Sequence, residues 1–187
     1  MNAGNESLDT IVEHIAGKSL PPIHEWRPSI TRDIDIRIAP NADWYYQGSL
    51  IQRKRMIQLF STVLRVDNDG HTYLVTPHER LRIQVDDAPF CAVLVDRHGV
   101  PDAPTLVFTT NVGDRVIASG SNPISVEYQH VDDEPSPYLI VRDRLRARIS
   151  RRAFYDLVEW AEERDGVIGV VSGDQFMPLS PPGEPYR

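Results

Sequence analysis

Ile51-Gln-Arg-Lys-Arg-Met-Ile-Gln-Leu-Phe60 follows the same pattern as Ile149-Ser-Arg-Arg-Ala-Phe-Tyr-Asp-Leu-Val158, much later in the chain. In both stretches an apolar strand end leads into basic residues and then into apolar positions at helical spacing. A pattern that returns in the second half of a chain indicates two related halves. We therefore predict an α+β fold with a duplicated core of antiparallel strands and one helix in each half.

The residues around the two stretches favour short strands. Ile34, Ile36 and Ile38 alternate with charged residues, which is typical of a strand with one buried face. Similar runs bounded by turn residues predict strands at 72–75, 81–85, 91–95, 105–109, 115–118, 124–128, 138–141, 145–149, 167–171 and 175–179. The helical spacing predicts one helix over 56–64 and another from a Ser150 N-cap to Gly166.

Changes of composition along the chain predict four parts. Residues 1–20 read as an N-terminal docking helix and linker, and residues 21–86 as a first α+β domain. Residues 87–180 form the predicted second domain, and residues 181–187 a flexible tail. The junction near Asp86 and Asp87 is the surface where we expect function.

Composition excludes several classes of protein. The chain has 187 residues, a formal net charge of −7 and a single cysteine. The negative charge disfavours non-specific binding of nucleic acid, and one cysteine cannot form an internal disulfide. The sequence has no apolar run long enough to span a membrane and no secretory leader, so we expect a cytoplasmic protein.

Arginines are concentrated at one place in this acidic chain. Residues 142–152 contain six arginines, and four of them alternate with apolar residues. Arginine forks bind phosphate or carboxylate groups, and a helix start adds backbone donors. We predict Arg142 and Arg151 as ligand contacts, with Arg53 as the counterpart at the helix start in the first half and Arg37 as a further contact. The alternative is that the alternation marks only the solvent side of a sheet.

Acidic and amide side chains form the second candidate group. They are Asp86, Asp87, Asn111 and Asp114. Such groups can accept hydrogen bonds from a sugar or a base, or hold a cation. Turn formation next to glycine explains Asn111 and Asp114 equally well.

The sequence gives no sign of a catalytic centre. The six histidines are scattered, and the turn Asp67-Asn-Asp-Gly70 lacks the glutamate of a calcium loop. No nucleophile elbow, P-loop or dinucleotide-binding glycine pattern is present. We therefore predict no catalytic residues, no cofactor and no metal site.

Seven segments together resemble the bacterial family called domain of unknown function 1285, over roughly residues 21–179. The segments are Ile34–Arg37, Trp44–Gly48 with Arg53, Leu59–Leu64, Asp86–Phe90, Thr110–Asp114, Tyr138–Asp143 and Phe154–Glu159. The resemblance implies a duplicated core, a second domain similar to pleckstrin-homology-like folds, and a nucleotide-like ligand at the domain interface. It also implies a role in signal transduction rather than catalysis. Arg144 stands where the family pattern has a glycine, so the turn there is expected to differ.

Three functions remain open at this point. The first is a signalling or regulatory protein that binds a nucleotide-like anion at the interface of its two domains, through the eight residues named above. The second is a protein-interaction module without a small ligand, and the third is a metal-assisted phosphoesterase using Asp86, Asp87 and Asp114.

Overall fold

The computed structural model describes residues 20–100, 103–128 and 134–180. The predicted N-terminal helix and C-terminal tail lie outside these residues. The chain divides into two compact units, Met1–Asp87 and Ala88–Arg187.

In its described residues, the first unit contains one six-stranded sheet and one helix. Its elements are β1 (Ile30–Ile38), β2 (Trp44–Tyr46), β3 (Ser49–Leu50), α1 (Lys54–Thr62), β4 (Leu64–Val66), β5 (Thr72–Val75) and β6 (Glu79–Val85). The strand order is β3-β2-β1-β6-β5-β4. The alternating pattern of β1 buries Ile36 and Ile38. In the core, the ring centres of Trp44 and Phe60 lie 6.1 Å apart.

The second unit contains a six-stranded sheet, a helix and a three-stranded sheet. Its large sheet consists of β7 (Phe90–Val100), β8 (Ala103–Thr110), β9 (Arg115–Ile117), β10 (Ile124–Glu127), β11 (Ser136–Arg142) and β12 (Leu145–Ile149). The helix α2 (Arg151–Glu159) follows, and then β13 (Glu162–Arg164), β14 (Val167–Ser172) and β15 (Gln175–Pro178). The large sheet has the order β10-β11-β12-β7-β8-β9, and the small one β13-β14-β15.

The two large sheets have the same topology. Each contains two antiparallel three-stranded meanders, and a central parallel pair joins the meanders. The parallel pair is β1 with β6 in the first unit and β7 with β12 in the second. The predicted duplication is therefore present as a repeated strand order.

Two parts of the sequence prediction need correction. The sheets are mixed rather than purely antiparallel, and with helices of only nine residues each the described residues form a mostly-β protein. The helices also hold different places, because α1 lies between the two meanders and α2 follows both. The sequence repeat thus marks two strand-to-helix transitions at non-equivalent positions of the duplicated sheets.

Both helices end earlier than predicted. The first stops at Thr62, and Leu64 already belongs to β4. The second stops at Glu159, and the hairpin from β13 to β14 follows. Gly166, with φ of 76°, turns that hairpin. Of the helices in the described ranges, none is long and apolar enough to cross a bilayer.

Candidate functional site

The predicted residues Arg37 and Asp86 bind each other. Arg37 Nε donates to Asp86 Oδ2 at 2.8 Å, a second guanidinium nitrogen contacts the same oxygen, and Gln84 donates to Oδ1 at 2.7 Å. The hydrogen bond from Arg37 lowers the pKa of Asp86. The pair clamps β1 to the end of β6, where Asp87 follows as a half-buried residue.

Arg53 is the exposed N-cap residue of α1. Its backbone is extended, with φ of −77° and ψ of 97°. Within the described part of the chain, no side chain caps this helix end. Lys54 and Arg55 are exposed beside it.

Asn111, Asp114 and Arg142 lie together in the second unit. Asn111 Oδ1 accepts from the backbone N–H of Cys91 at 3.0 Å, which joins the turn after β8 to β7. Arg142 donates to Asp114 Oδ2 at 3.0 Å, and its guanidinium lies 5.2 Å from the centre of the Phe90 ring. These side chains stabilise the turn and the sheet, in agreement with the turn-forming alternative.

The remaining alternating arginines also have partners. Arg146 donates to Glu127 at 2.6 Å and stacks 4.0 Å from the centre of the Tyr138 ring. Arg148 lies 3.4 Å from the hydroxyl of Ser136. Neighbouring strands supply these partners, and the one-strand alternation in the sequence does not identify them.

Arg151 lies at a cleft of about 380 Å³ in the second unit. We call it the α2 cleft. The residues that line it are Cys91, Glu134, Pro135, Pro137, Arg148, Ile149, Ser150, Arg151, Phe154, Tyr155 and Val158. They come from β7, the start of β11, the end of β12 and one face of α2.

Local sequence explains how α2 presents that face. Ser150 Oγ accepts from the backbone N–H of Ala153 at 3.3 Å, which confirms the predicted N-cap. Residues 151, 154, 155 and 158 then fall at helical spacing on one side. Phe154 is buried, whereas Tyr155 is 56% exposed at the cleft.

Charge in the α2 cleft is mainly positive. Arg148 and Arg151 both line it, and Arg151 Nε donates to the Tyr155 hydroxyl at 3.1 Å. The Tyr155 hydroxyl raises the pKa of Arg151 further above its already high value, so Arg151 is always charged. Glu134 is the one acidic residue among the lining residues.

Cys91 is half-buried rather than fully buried, and it lines the α2 cleft. Burial raises the pKa of its thiol, and the charge of Arg148 opposes this effect only in part. The thiol is therefore neutral near pH 7.

Among the residues that line the α2 cleft, only Arg151 was predicted from the sequence as a ligand contact. The available signal was the exposed Tyr155 one helical turn after Arg151, since an aromatic residue beside arginines indicates a binding surface. The wall formed by Glu134 and the prolines had no such signal, because its position depends on how β11 pairs with β10 and β12.

The third hypothesis, a metal-assisted phosphoesterase, gains no support from the described residues. The described residues contain no group of three His, Cys, Asp or Glu side chains that could hold a metal ion. Asp86 already accepts from Arg37, and Asp114 from Arg142.

Comparisons with known proteins agree on one family. A model described as the N-terminal domain of DUF1285, a domain of unknown function, matches residues 21–88. A model described as the C-terminal domain of DUF1285 matches residues 89–179. No curated protein matches the chain significantly.

Two crystal structures of DUF1285 family proteins resemble the chain. The protein from Silicibacter pomeroyi DSS-3 is 42% identical, with a TM-score of 0.85 over 92% of this chain and 93% of that one. The protein from Shewanella baltica OS155 is 28% identical, with a TM-score of 0.51 over 65% of this chain and 87% of that one.

Proposed function

The chain belongs to the DUF1285 family, and from this premise we propose that it binds a small, nucleotide-like anionic ligand in the α2 cleft. The observation that carries the proposal is the meeting of two arginines with an aromatic and proline-lined wall in one cleft. A nucleotide has the matching combination of an anionic group and a flat ring.

The arginines supply the anion site. Arg148 is half-buried and Arg151 lies at the start of α2, where the helix dipole also favours negative charge. Guanidinium groups form paired hydrogen bonds with phosphate and carboxylate oxygens. We assign Arg151 as the main contact because it lines the cleft and its side chain is exposed to solvent.

The wall supplies the site for a ring. Tyr155 is 56% exposed, with the Arg151 guanidinium 5.8 Å from the centre of its ring, and Phe154, Pro135 and Pro137 add apolar surface. Flat ligands gain affinity from such surfaces by stacking and by loss of water. A volume of about 380 Å³ lies in the range of small-molecule sites in proteins.

The other predicted ligand residues stay predictions. They are Arg37, Arg53, Asp86, Asp87, Asn111, Asp114 and Arg142. Of these, Asp86 and Asp114 already bind arginines, so a ligand at either one has to compete with an internal ion pair.

Biological context completes the proposal. We place the protein in the cytoplasm, in a signalling or regulatory role in which ligand binding shifts the population of two conformations. We also propose that the second unit is similar to pleckstrin-homology-like folds.

An interaction module remains the less favoured alternative. In the described residues, both large sheets end in strands of two to four residues. Such short edges offer few free backbone groups for strand addition by a partner.

Thermal unfolding tests the proposal directly. Purified full-length protein is heated with AMP, GMP, cyclic dinucleotides or inorganic phosphate at low salt. We expect at least one nucleotide to stabilise the fold by about 2.7 kcal/mol at a hundredfold excess over its Kd. Arg151→Ala is expected to weaken binding about tenfold, because it removes a charge-assisted hydrogen bond.

Arg152→Ala is the matched control for Arg151→Ala. Arg152 is an exposed neighbour on α2 and is not among the cleft-lining residues. The proposal fails if none of the ligands shifts the unfolding temperature. It also fails if both alanine variants weaken binding equally, since that result indicates general charge attraction.

A further inference from the structure

We infer that Glu134 limits the charge of the ligand, so that the α2 cleft favours compounds with one anionic group over those with two or three. The inference rests on the proposed function, because it assumes a ligand in this cleft. It assigns Glu134 as a specificity-determining residue.

Glu134 occupies part of the anion site. Its Oε1 lies 3.3 Å from a terminal guanidinium nitrogen of Arg151, and both residues line the cleft. The Nε of the same guanidinium donates to the Tyr155 hydroxyl at 3.1 Å. A ligand anion that binds Arg151 therefore lies next to the negative charge of Glu134.

The wall that carries Glu134 is restrained. Pro135 follows directly, and the buried Pro137 lies within β11, paired with Val126 of β10. Proline fixes one backbone angle and restricts the residue before it. The prolines thus restrict the backbone that carries the Glu134 carboxylate at the edge of the cleft.

Charge bookkeeping gives the preferred ligand class. Two arginines and one glutamate line the cleft, which leaves a net charge of +1. One phosphate or carboxylate group approximately balances this charge. A second or third phosphate group would lie close to the Glu134 carboxylate. The two negative charges would repel each other, which weakens binding.

Solvent exposure sets the size of the effect. The side chains of Arg151 and Glu134 are 73% and 74% exposed, so water screens their interaction strongly. We expect a change of about two- to fivefold in Kd when Glu134 loses its charge. The change should shrink at high salt, because ions screen exposed charges.

Calorimetric titration of the full chain with adenosine, AMP, ADP and ATP tests the inference. Glu134→Gln should tighten binding of ATP most, ADP less and AMP least, and should leave adenosine unchanged. Glu159→Gln is the matched control, since Glu159 is an exposed glutamate on α2 that is not among the cleft-lining residues. It should change none of the four affinities.

Separate outcomes overturn the inference and the proposed function. If wild-type protein binds AMP, but Glu134→Gln changes all ligands equally or none of them, Glu134 is not a charge filter and the binding site stands. If the adenosine affinity changes as much as that of ATP, Glu134 acts through shape. If neither protein binds any of the three adenine nucleotides, the inference fails, and the thermal unfolding series with the other nucleotides decides the proposed function separately.

Discussion

Gly169 of β14 lies against Phe176 and Met177 of β15. A Cβ atom added at this position would stand 2.5 Å from the carbonyl oxygen of Met177 and 2.5 Å from the ring of Phe176. The ring can rotate, whereas the carbonyl belongs to the strand pairing. Glycine is required here by the contact between the two strands.

Gly169→Ala should therefore destabilise the protein by about 2 kcal/mol, because overpacking forces the small sheet to shift. Urea denaturation at pH 7 measures the change. Gly120→Ala is the control, since its added Cβ would lie 3.7 Å from Gln175 Oε1, an ordinary contact. Equal stability of the two variants would show that the close approach is not a constraint.

Single residues were predictable from the sequence when their role is local. The N-cap Ser150 was predicted from the sequence and confirmed, because a cap needs only the helix that follows it. The partner of Arg142 was not predictable, since Asp114 reaches it only through the pairing of distant strands.

At the scale of elements, a network of charged side chains attaches the connector, residues 20–29 before β1, to the first sheet. Arg65 of β4 donates to the carbonyl oxygens of Ile23 at 2.7 Å and Trp26 at 3.1 Å. Arg65 Nε also donates a hydrogen bond to Asp67 Oδ1 at 2.5 Å. The other carboxylate oxygen of Asp67 accepts from Arg80. The connector is therefore attached through side chains that depend on the Asp67 carboxylate.

Asp67→Asn should cost about 2 kcal/mol at pH 7, through weaker hydrogen bonds to the two arginines. Burial alone would raise the pKa of Asp67, but Arg65 and Arg80 outweigh it and hold the pKa below 3.8. A carboxylate with a lowered folded-state pKa stabilises the fold above its unfolded pKa, and this stability disappears as pH falls through the folded pKa. The gap between wild type and variant should therefore narrow below about pH 4.

Urea denaturation at several pH values measures that gap. Asp33→Asn is the control, because Asp33 is 71% exposed and its ion pair with Arg82 should contribute little. A gap that stays constant down to pH 2, or an equal loss in both variants, would contradict the assigned role of Asp67.

Element positions were largely predictable, and their pairing was not. The alternation in β1, β6 and β12 identified these strands because one face of each is buried. The same alternation carries no information about direction, so the central parallel pairs were missed. Helix ends were missed because an apolar residue such as Leu64 fits a helix stripe and a buried strand equally well.

At the scale of the whole molecule, the described residues repeat one strand order in two units, with α1 between the meanders of the first unit and α2 after those of the second. The basic residues at the starts of the two helices therefore lie in different surroundings. Arg53 is an exposed N-cap residue of α1, whereas Arg151 is in a cleft. This difference depends on three-dimensional packing, which explains why most of the candidate site was not predictable.

Alkylation of the single cysteine tests most directly where the ligand binds. Cys91 is the only cysteine in the chain and lines the α2 cleft, so its reaction with iodoacetamide reports on this place alone. With AMP at ten times its Kd, we predict that the alkylation rate falls about tenfold, while adenosine gives little protection. An unchanged rate at AMP concentrations that fully stabilise the protein would contradict binding in the α2 cleft.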